Sequence, residues 1–210
     1  MAKKPIQLFI AIVAVVAAAG WAYYSASGPS QKFDLTPYTA LGAGVAEETI
    51  KLLGNKGQVV IFAPDTSEFD DPVVEGQLSY FERAIKKSGV TIVATLRFKL
   101  TAMERMETGG AVPGAQVAKA MQDHSNVAAV VLFCAFPQDY AAPKPGGPKF
   151  IVASGYMPAY RNLVESRVIA AAIVPRFDSA KTARRPQTLR EWFDEEFLVI
   201  TPENLASLPY

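Results

Sequence analysis

The clearest pattern of apolar and polar positions is an uninterrupted apolar run, 59–62, which leaves neither side of a strand polar. Such a run predicts a strand buried on both faces, which is typical of the centre of a parallel sheet covered by helices. Pro64 ends this strand, and Asp65 follows at its carboxyl end. Open α/β sheets place their ligand crevices at that end of the strands. The pattern therefore predicts an α/β domain organised around residues 58–65.

The rest of the chain alternates between segments with helical spacing of apolar residues and short apolar runs. Strands that alternate with helices favour parallel pairing through right-handed crossovers. We therefore predict an α/β fold, a three-layer α/β/α sandwich with a mainly parallel sheet of five or six strands. The predicted helices are 38–53, 72–87, 115–123, 158–166 and 188–195, and the further strands are 90–100, 127–133, 149–154, 168–174 and 197–201. The segment 101–114 is polar and glycine-bearing and has no predicted element, and the proline-rich segment 136–148 is predicted to be an irregular crossover.

The segment 5–24 contains no charged residue and follows Lys3 and Lys4. As a helix rising about 1.5 Å per residue it extends about 30 Å, the thickness of the apolar part of a bilayer. The two lysines place the amino terminus in the cytoplasm under the positive-inside rule. The segment therefore predicts a single-pass anchor in the inner (cytoplasmic) membrane, with the lipid bilayer as a partner.

This interpretation divides the chain into an anchor at 1–27, a tether at 28–37 and an α/β domain at 38–210. The domain is then placed in the periplasm or outside the cell. A cleaved signal peptide is the alternative, because Ser25, Ala26 and Ser27 have the small side chains of a cleavage site.

The charge of the chain is nearly balanced, with 21 basic and 20 acidic residues and a formal net charge of +1. Nothing in this balance steers the protein toward nucleic acid. Cys134 is the single cysteine of the sequence, so no internal disulfide can form. Its position in an apolar run predicts a buried and unreactive thiol.

The sequence contains none of the catalytic motifs considered for it. His124 is the single histidine, so zinc sites built on two histidines are excluded and a Ser–His–Asp triad depends on this residue alone. The segment 153–156 lacks the first glycine of a nucleophile elbow. The glycines at 146–147 are not followed by the lysine and hydroxyl residue of a phosphate-binding loop. We therefore predict that the protein is not an enzyme and has no catalytic residue, metal or cofactor.

Polar residues follow several predicted strands at their carboxyl ends. Converging polar groups at one edge of a sheet are the usual starting hypothesis for a ligand-binding site. The alternative is a local role, in which Asp65 and Ser67 cap a turn or the next helix and Arg176 pairs with a carboxylate. The candidate ligand-binding residues are Asp65, Thr66, Ser67, Gln138, Ser154, Tyr156 and Arg176.

The residues around the first strand also carry a resemblance to a known family. The first part of the resemblance is the stretch 59–67, followed by Phe69, Glu75 and Gly76 and then by the stretch 84–90. The second part is the stretch 116–121, which precedes the apolar run 127–132. These segments resemble the opening of one lobe of a type I periplasmic binding protein, a flavodoxin-like domain. The resemblance implies a loop after the first strand that touches ligand. Members of that family bind ligand between two lobes, and this chain has length for one.

Two classes of function follow from these observations. The first is a membrane-anchored, non-catalytic periplasmic protein that acts as an accessory or docking subunit of a membrane complex, with a membrane protein as partner. Its docking surfaces would be 136–148 and the tail 186–210. The alternative is a small-ligand binding module of a transporter or sensor, which uses the sheet edge around Asp65 and Tyr156.

Overall fold

A computed structural model describes residues 34–208, apart from 69, 138, 141–146, 154–156 and 177–183, together with the helical positions 15, 17–19 and 21. The chain divides into two compact units, Met1–Asp34 and Leu35–Tyr210. Most of the predicted anchor at 5–24 lies outside the described residues. Among the helices that are described, none combines the length and the apolar character needed to cross a bilayer.

The second unit alternates helices and strands as predicted. Its helices are α1 (Thr36–Leu53), α2 (Pro72–Ile85), α3 (Ala102–Thr108), α4 (Gly114–Asp123), α5 (Met157–Glu165) and α6 (Leu189–Glu196). Its strands are β1 (Gly57–Pro64), β2 (Val90–Phe98), β3 (Ala129–Leu132), β4 (Lys149–Val152), β5 (Ile169–Pro175) and β6 (Phe197–Ile200). A short 3-10 helix, Leu205–Ser207, follows β6.

The six strands form one sheet in the order β2-β1-β3-β4-β5-β6. The pairs from β2 to β5 are parallel, and β6 runs antiparallel to β5. This confirms the prediction of a mainly parallel sheet. The order of the first five strands is that of flavodoxin-like domains, in which the chain reverses its winding direction between β1 and β3. That reversal makes the carboxyl ends of β1 and β3 the expected place for a ligand crevice.

Each face of the sheet carries its own apolar core, and β1 contributes to both. Val59 and Ile61 pack with α1, α2 and α6, and Val60 and Phe62 pack with α4 and α5 on the other side. All four side chains are fully buried. The apolar run at 59–62 is therefore the centre of the sheet, as the sequence predicts.

Helix α1 lies close against its two neighbours because glycine replaces larger side chains at the contacts. A Cβ atom at Gly42 would collide with the backbone carbonyl of Gln77 in α2. A Cβ atom at Gly44 would overlap the ring of Phe193 in α6. The small residues of this helix therefore set how near the three helices of this layer approach one another.

Two local differences from the sequence prediction have clear causes. Helix α1 begins at Thr36, because Pro37 sits in its first turn, where a missing N–H costs nothing. The segment 101–114, for which the sequence predicted no element, contains the short helix α3. Thr101 and Glu104 form a capping box that starts this helix, and Gly109 ends it with φ of 62°.

We expect Val60→Asp to destabilise the second unit by about 3–5 kcal/mol, because it places an unpaired carboxylate between β1 and the helices. Urea unfolding followed by circular dichroism measures this loss. Gln58→Asp is the matched control, since Gln58 is an exposed residue of the same strand, and it should cost less than about 1 kcal/mol. Equal unfolding midpoints for the two variants would contradict the assignment of β1 as the central strand.

Candidate functional site

The loop after β1 is shaped by Asp65. Its backbone N–H donates to the carbonyl of Phe98 at 2.8 Å, which continues the pairing of β1 with β2. Its Oδ1 accepts a hydrogen bond from the backbone N–H of Ser67 at 2.9 Å. This hydrogen bond is the main cause of a lowered pKa at Asp65, so the carboxylate is charged at neutral pH. Asp65 thus has the local turn-forming role considered for it, and it holds a negative charge at the carboxyl end of β1.

Thr66 takes part in a polar cluster that joins three elements of the fold. Arg97, near the end of β2, donates from Nη1 and Nη2 to the two carboxylate oxygens of Glu75 in α2, at 2.7 and 3.0 Å. The hydroxyl of Thr66 donates to Glu75 Oε1 at 2.6 Å and accepts from Arg97 Nη1 at 3.1 Å. A two-point contact of this kind fixes the geometry of both side chains.

The ionisation of this cluster agrees with its geometry. The pKa of Glu75 is lowered mainly by its hydrogen bond from Arg97, and the pKa of Arg97 is raised mainly by the same contact. Both side chains are more than one third exposed, so water screens the pair and its contribution to stability is modest. The cluster therefore fastens the loop after β1 to α2 and β2 rather than offering a free charge.

A second ion pair flanks the loop. Lys99 Nζ lies 2.5 Å from Glu68 Oε1, with both side chains mostly exposed. This contact raises the pKa of Lys99. The charges of Glu68, Glu75, Arg97 and Lys99 are thus neutralised in pairs around Asp65.

The segment after β3 places buried apolar side chains next to the point where the winding direction of the sheet reverses. Cys134 and Phe136 are buried, and burial raises the pKa of the Cys134 thiol to about 12, as expected for an unreactive cysteine. The backbone N–H of Phe136 donates to the hydroxyl of Tyr160 at 3.2 Å. Asp139 accepts from the backbone N–H of Gly114 at 2.9 Å and so caps α4. The hydroxyl of Tyr160 and the carboxylate of Asp139 are thus both engaged by backbone N–H groups.

The structure separates one candidate from the others. Arg176 follows β5, three strand spacings from β1, or about 14 Å at the usual spacing of a sheet. Its Nε donates to the carbonyl of Phe197 at 3.0 Å and its backbone N–H to that of Glu196 at 2.8 Å. Arg176 thus holds β6 against β5, while Asp65, Thr66 and Ser67 lie together. Gln138, Ser154 and Tyr156 lie outside the described residues, so their assignment to the site stays a prediction.

The residues that sequence reasoning missed are Glu75 and Arg97. Helical spacing placed Glu75 on a solvated face, and Arg97 was included in the second strand without a role. The contact between them joins positions 22 residues apart and depends on how α2 lies over β2. One signal was present, since a polar residue near the carboxyl end of a strand lies at the edge where ligands bind.

Metal binding finds no support in the part of the chain that the structure describes, which contains no group of three or more His, Cys, Asp or Glu side chains able to hold an ion. An open groove of about 480 Å³ lies between β2 and α4, and Arg97 also lines it. Leu96 and Phe98 line one wall, and Lys119, Asp123 and His124 line the other.

Neither a protein-family model nor a curated protein matches the chain. Solved structures match its fold. An ABC transporter solute-binding protein from Burkholderia graminis, in complex with D-arabinose, has a TM-score of 0.58 and 14% identity over 82% of this chain and 62% of that one. An arabinose-binding protein from Geobacillus stearothermophilus has a TM-score of 0.56 and 16% identity over 82% and 63%. A chain of a XylFII–LytSN complex has a TM-score of 0.55 and 18% identity over 79% and 60%.

These similarities confirm the resemblance at the level of the fold. The second unit has the fold of type I periplasmic binding proteins, and the matched proteins include sugar-binding proteins of ABC transporters. The chain spans between 60% and 63% of the length of these three matched structures.

We expect Arg97→Met to lower stability by about 1 kcal/mol at pH 7, because it removes the two-point contact with Glu75. The lowered pKa of Glu75 means that this contribution is complete above the pKa of glutamate in the unfolded chain. It is lost as the pH falls through the lower folded value. The difference between the parent and Arg97→Met should therefore shrink below about pH 4.

Urea unfolding at pH 7 and at about pH 3.5 measures this difference. Lys99→Met is the matched control, since its partner Glu68 is more exposed, and it should cost less than about 0.5 kcal/mol. A difference for Arg97→Met that stays constant with pH would show that Glu75 is not its partner.

Proposed function

We propose that the chain is a small-ligand binding module and that its ligand is a small polyhydroxylated molecule of the sugar class. The observation that carries the proposal is the fold match to solute-binding proteins over about four fifths of the chain, including structures described with arabinose or with glucose and galactose as ligands. This is the alternative class of function derived from the sequence, and its site is the carboxyl edge of β1.

The loop after β1 has the chemistry that such a ligand needs. A carboxylate accepts hydrogen bonds from hydroxyl groups, and charge makes these bonds stronger than bonds between neutral groups. Asp65 is charged and is held in place by Ser67. We assign Asp65 to ligand binding, and we assign Thr66, Glu75 and Arg97 to holding the loop in position. A preorganised loop loses less entropy when a ligand binds.

A single lobe covers a ligand from one side. Ligand sites in proteins usually bury most of the ligand surface, so an edge formed by one lobe alone should bind weakly. We therefore expect a dissociation constant on the order of 1 mM for the isolated chain.

We further propose that the segment 5–24 anchors the module in the inner membrane, with the second unit on the periplasmic or outer side. Two lysines followed by an uncharged segment long enough to span a bilayer support this topology. Docking to a membrane protein is the second candidate function. It is favoured by the match to a chain of a complex, the XylFII–LytSN complex, in which that chain is assembled with another protein.

Titration of the full-length chain with arabinose, glucose and galactose, followed by isothermal titration calorimetry or NMR, tests the binding proposal. Asp65→Asn should weaken binding about tenfold or more, because it removes the charge while an amide oxygen can still accept from Ser67. Glu165→Gln is the control, since this exposed carboxylate ends α5 and lies away from the loop after β1. Binding that is equal in both variants, or absent at high millimolar sugar, would favour the docking function.

Alkaline carbonate washing of membranes tests the anchor. The full-length chain should stay with the membrane, whereas a released fragment that begins near Gly28 would show a cleaved signal peptide. Val13→Arg is a useful variant, because an arginine at the centre of the segment costs about 2.5–3.5 kcal/mol for insertion. We expect this variant to shift toward the soluble fraction, while Lys87→Arg should be retained as the parent chain is.

A further inference from the structure

Strand β2 forms a long edge of the sheet. In the part of the chain that the structure describes, it pairs with β1 on one side and with no strand on the other. It has 9 residues, whereas β6 at the opposite edge has 4. Edge strands present rows of N–H and C=O groups that can pair with another strand. Natural proteins protect such edges with proline or charge, but β2 contains no proline, and its single charged residue, Arg97, is bound to Glu75.

Apolar side chains concentrate on the same side of the domain. Among the described residues of the second unit, the large apolar side chains classed as exposed are Val93 at 41%, Met103 at 70% and Met106 at 86%. All three lie in β2 or in the helix that follows it. Leu96 and Phe98 of β2 are only partly buried and line the groove beside α4. Exposed apolar side chains that concentrate in one part of a surface favour an interaction site there.

A bulge defines which part of the edge is regular. The pairing partner on β2 moves from Ile92 to Ala94 between Val59 and Val60 of β1, so Val93 is the extra residue. Bulges at edges limit uncontrolled pairing. The stretch 94–98 remains regular and is long enough for a short ladder with one further strand.

The charges at the two ends of β2 differ in sign. Lys86 and Lys87 are exposed just before the strand. After the strand, Lys99 is paired with Glu68, and α3 presents the exposed carboxylates of Glu104 and Glu107. Arg105 of α3 turns back to donate to the carbonyl of Leu100. Two β2 strands in antiparallel order would place the basic start of each beside the acidic end of the other. Parallel order would place like charges together.

We infer that the β2 edge is the interface of a homodimer, in which two copies pair antiparallel through β2 and form one continuous sheet. The charges make this surface complementary to itself, and a two-fold axis satisfies both copies at once. In this arrangement the stretch 94–98 of one copy pairs with the same stretch of the other, and Lys87 of each copy is on the side of the other copy's α3, which carries Glu107. This inference concerns assembly and does not depend on the ligand proposed above.

Sedimentation velocity of the full-length chain in mild detergent tests the inference. The parent should show a concentration-dependent dimer. Lys87→Glu should raise the dimer dissociation constant about tenfold, because it places like charges together, and the double variant with Glu107→Lys should restore it. Lys51→Glu is the control, since Lys51 is exposed on α1 away from this edge, and it should leave the constant unchanged. Added salt should weaken the parent dimer.

Disulfide crosslinking locates the interface independently of the amino-terminal segment. When the stretch 94–98 pairs antiparallel with itself, Leu96 lies directly opposite Leu96 of the other copy. Leu96→Cys should therefore form a crosslinked dimer on mild oxidation, whereas Ser79→Cys, an exposed position on α2, should not. The native Cys134 is buried and should not contribute. A monomer at all concentrations, or a dimer that responds equally to Lys87→Glu and Lys51→Glu, would overturn the inference.

Discussion

The burial of β1 on both faces is the constraint on which the rest of the structure depends. Val59 to Phe62 have no polar side chain to present to water, so both faces of the strand must be covered. Helices α1, α2 and α6 cover one face, and α4 and α5 cover the other. A strand with helices on both sides belongs at the centre of a parallel sheet, where each strand connects to the next through a crossover. The reversal of winding between β1 and β3 follows from this central position, and with it the edge at which Asp65 lies.

The sequence predicted this architecture well because the signals were local. An apolar run, helical spacing and the alternation of the two are visible within short windows, and they were sufficient to predict the layers and the mostly parallel sheet. Helix α3 was not predicted, because the segment 101–114 has no apolar stripe with helical spacing. The one local signal of a helix was the capping-box spacing of Thr101 and Glu104. A short helix that is stabilised mainly by its caps contains too few turns to show a helical periodicity of apolar residues.

The candidate site was predicted only in part, and the reason is physical. The position of Asp65, Thr66 and Ser67 follows from the end of β1, which the sequence marks with Pro64. The pair of Glu75 and Arg97 depends on the register of β2 against β1 and on the angle of α2, neither of which is encoded in a short window. Arg176 was grouped with Asp65 because both follow strands, but strand order decides distance, and β3 and β4 lie between them.

The charged side chains of the carboxyl edge illustrate how a fold can carry a binding site with few free groups. Glu75 pairs with Arg97 and Glu68 with Lys99, so these charges are occupied in stabilising the loop. Asp65 is held through a backbone N–H instead, which fixes its orientation without neutralising its charge. Water screens the exposed pairs, so their main effect is on geometry rather than on stability. The same distinction applies at the β2 edge, where Lys87 and Glu107 form no ion pair among the described residues and are thus able to meet opposite charges on another molecule. Charges that are paired within the chain thus shape its loops, and charges that are not paired within it are the ones that a ligand or a partner can meet.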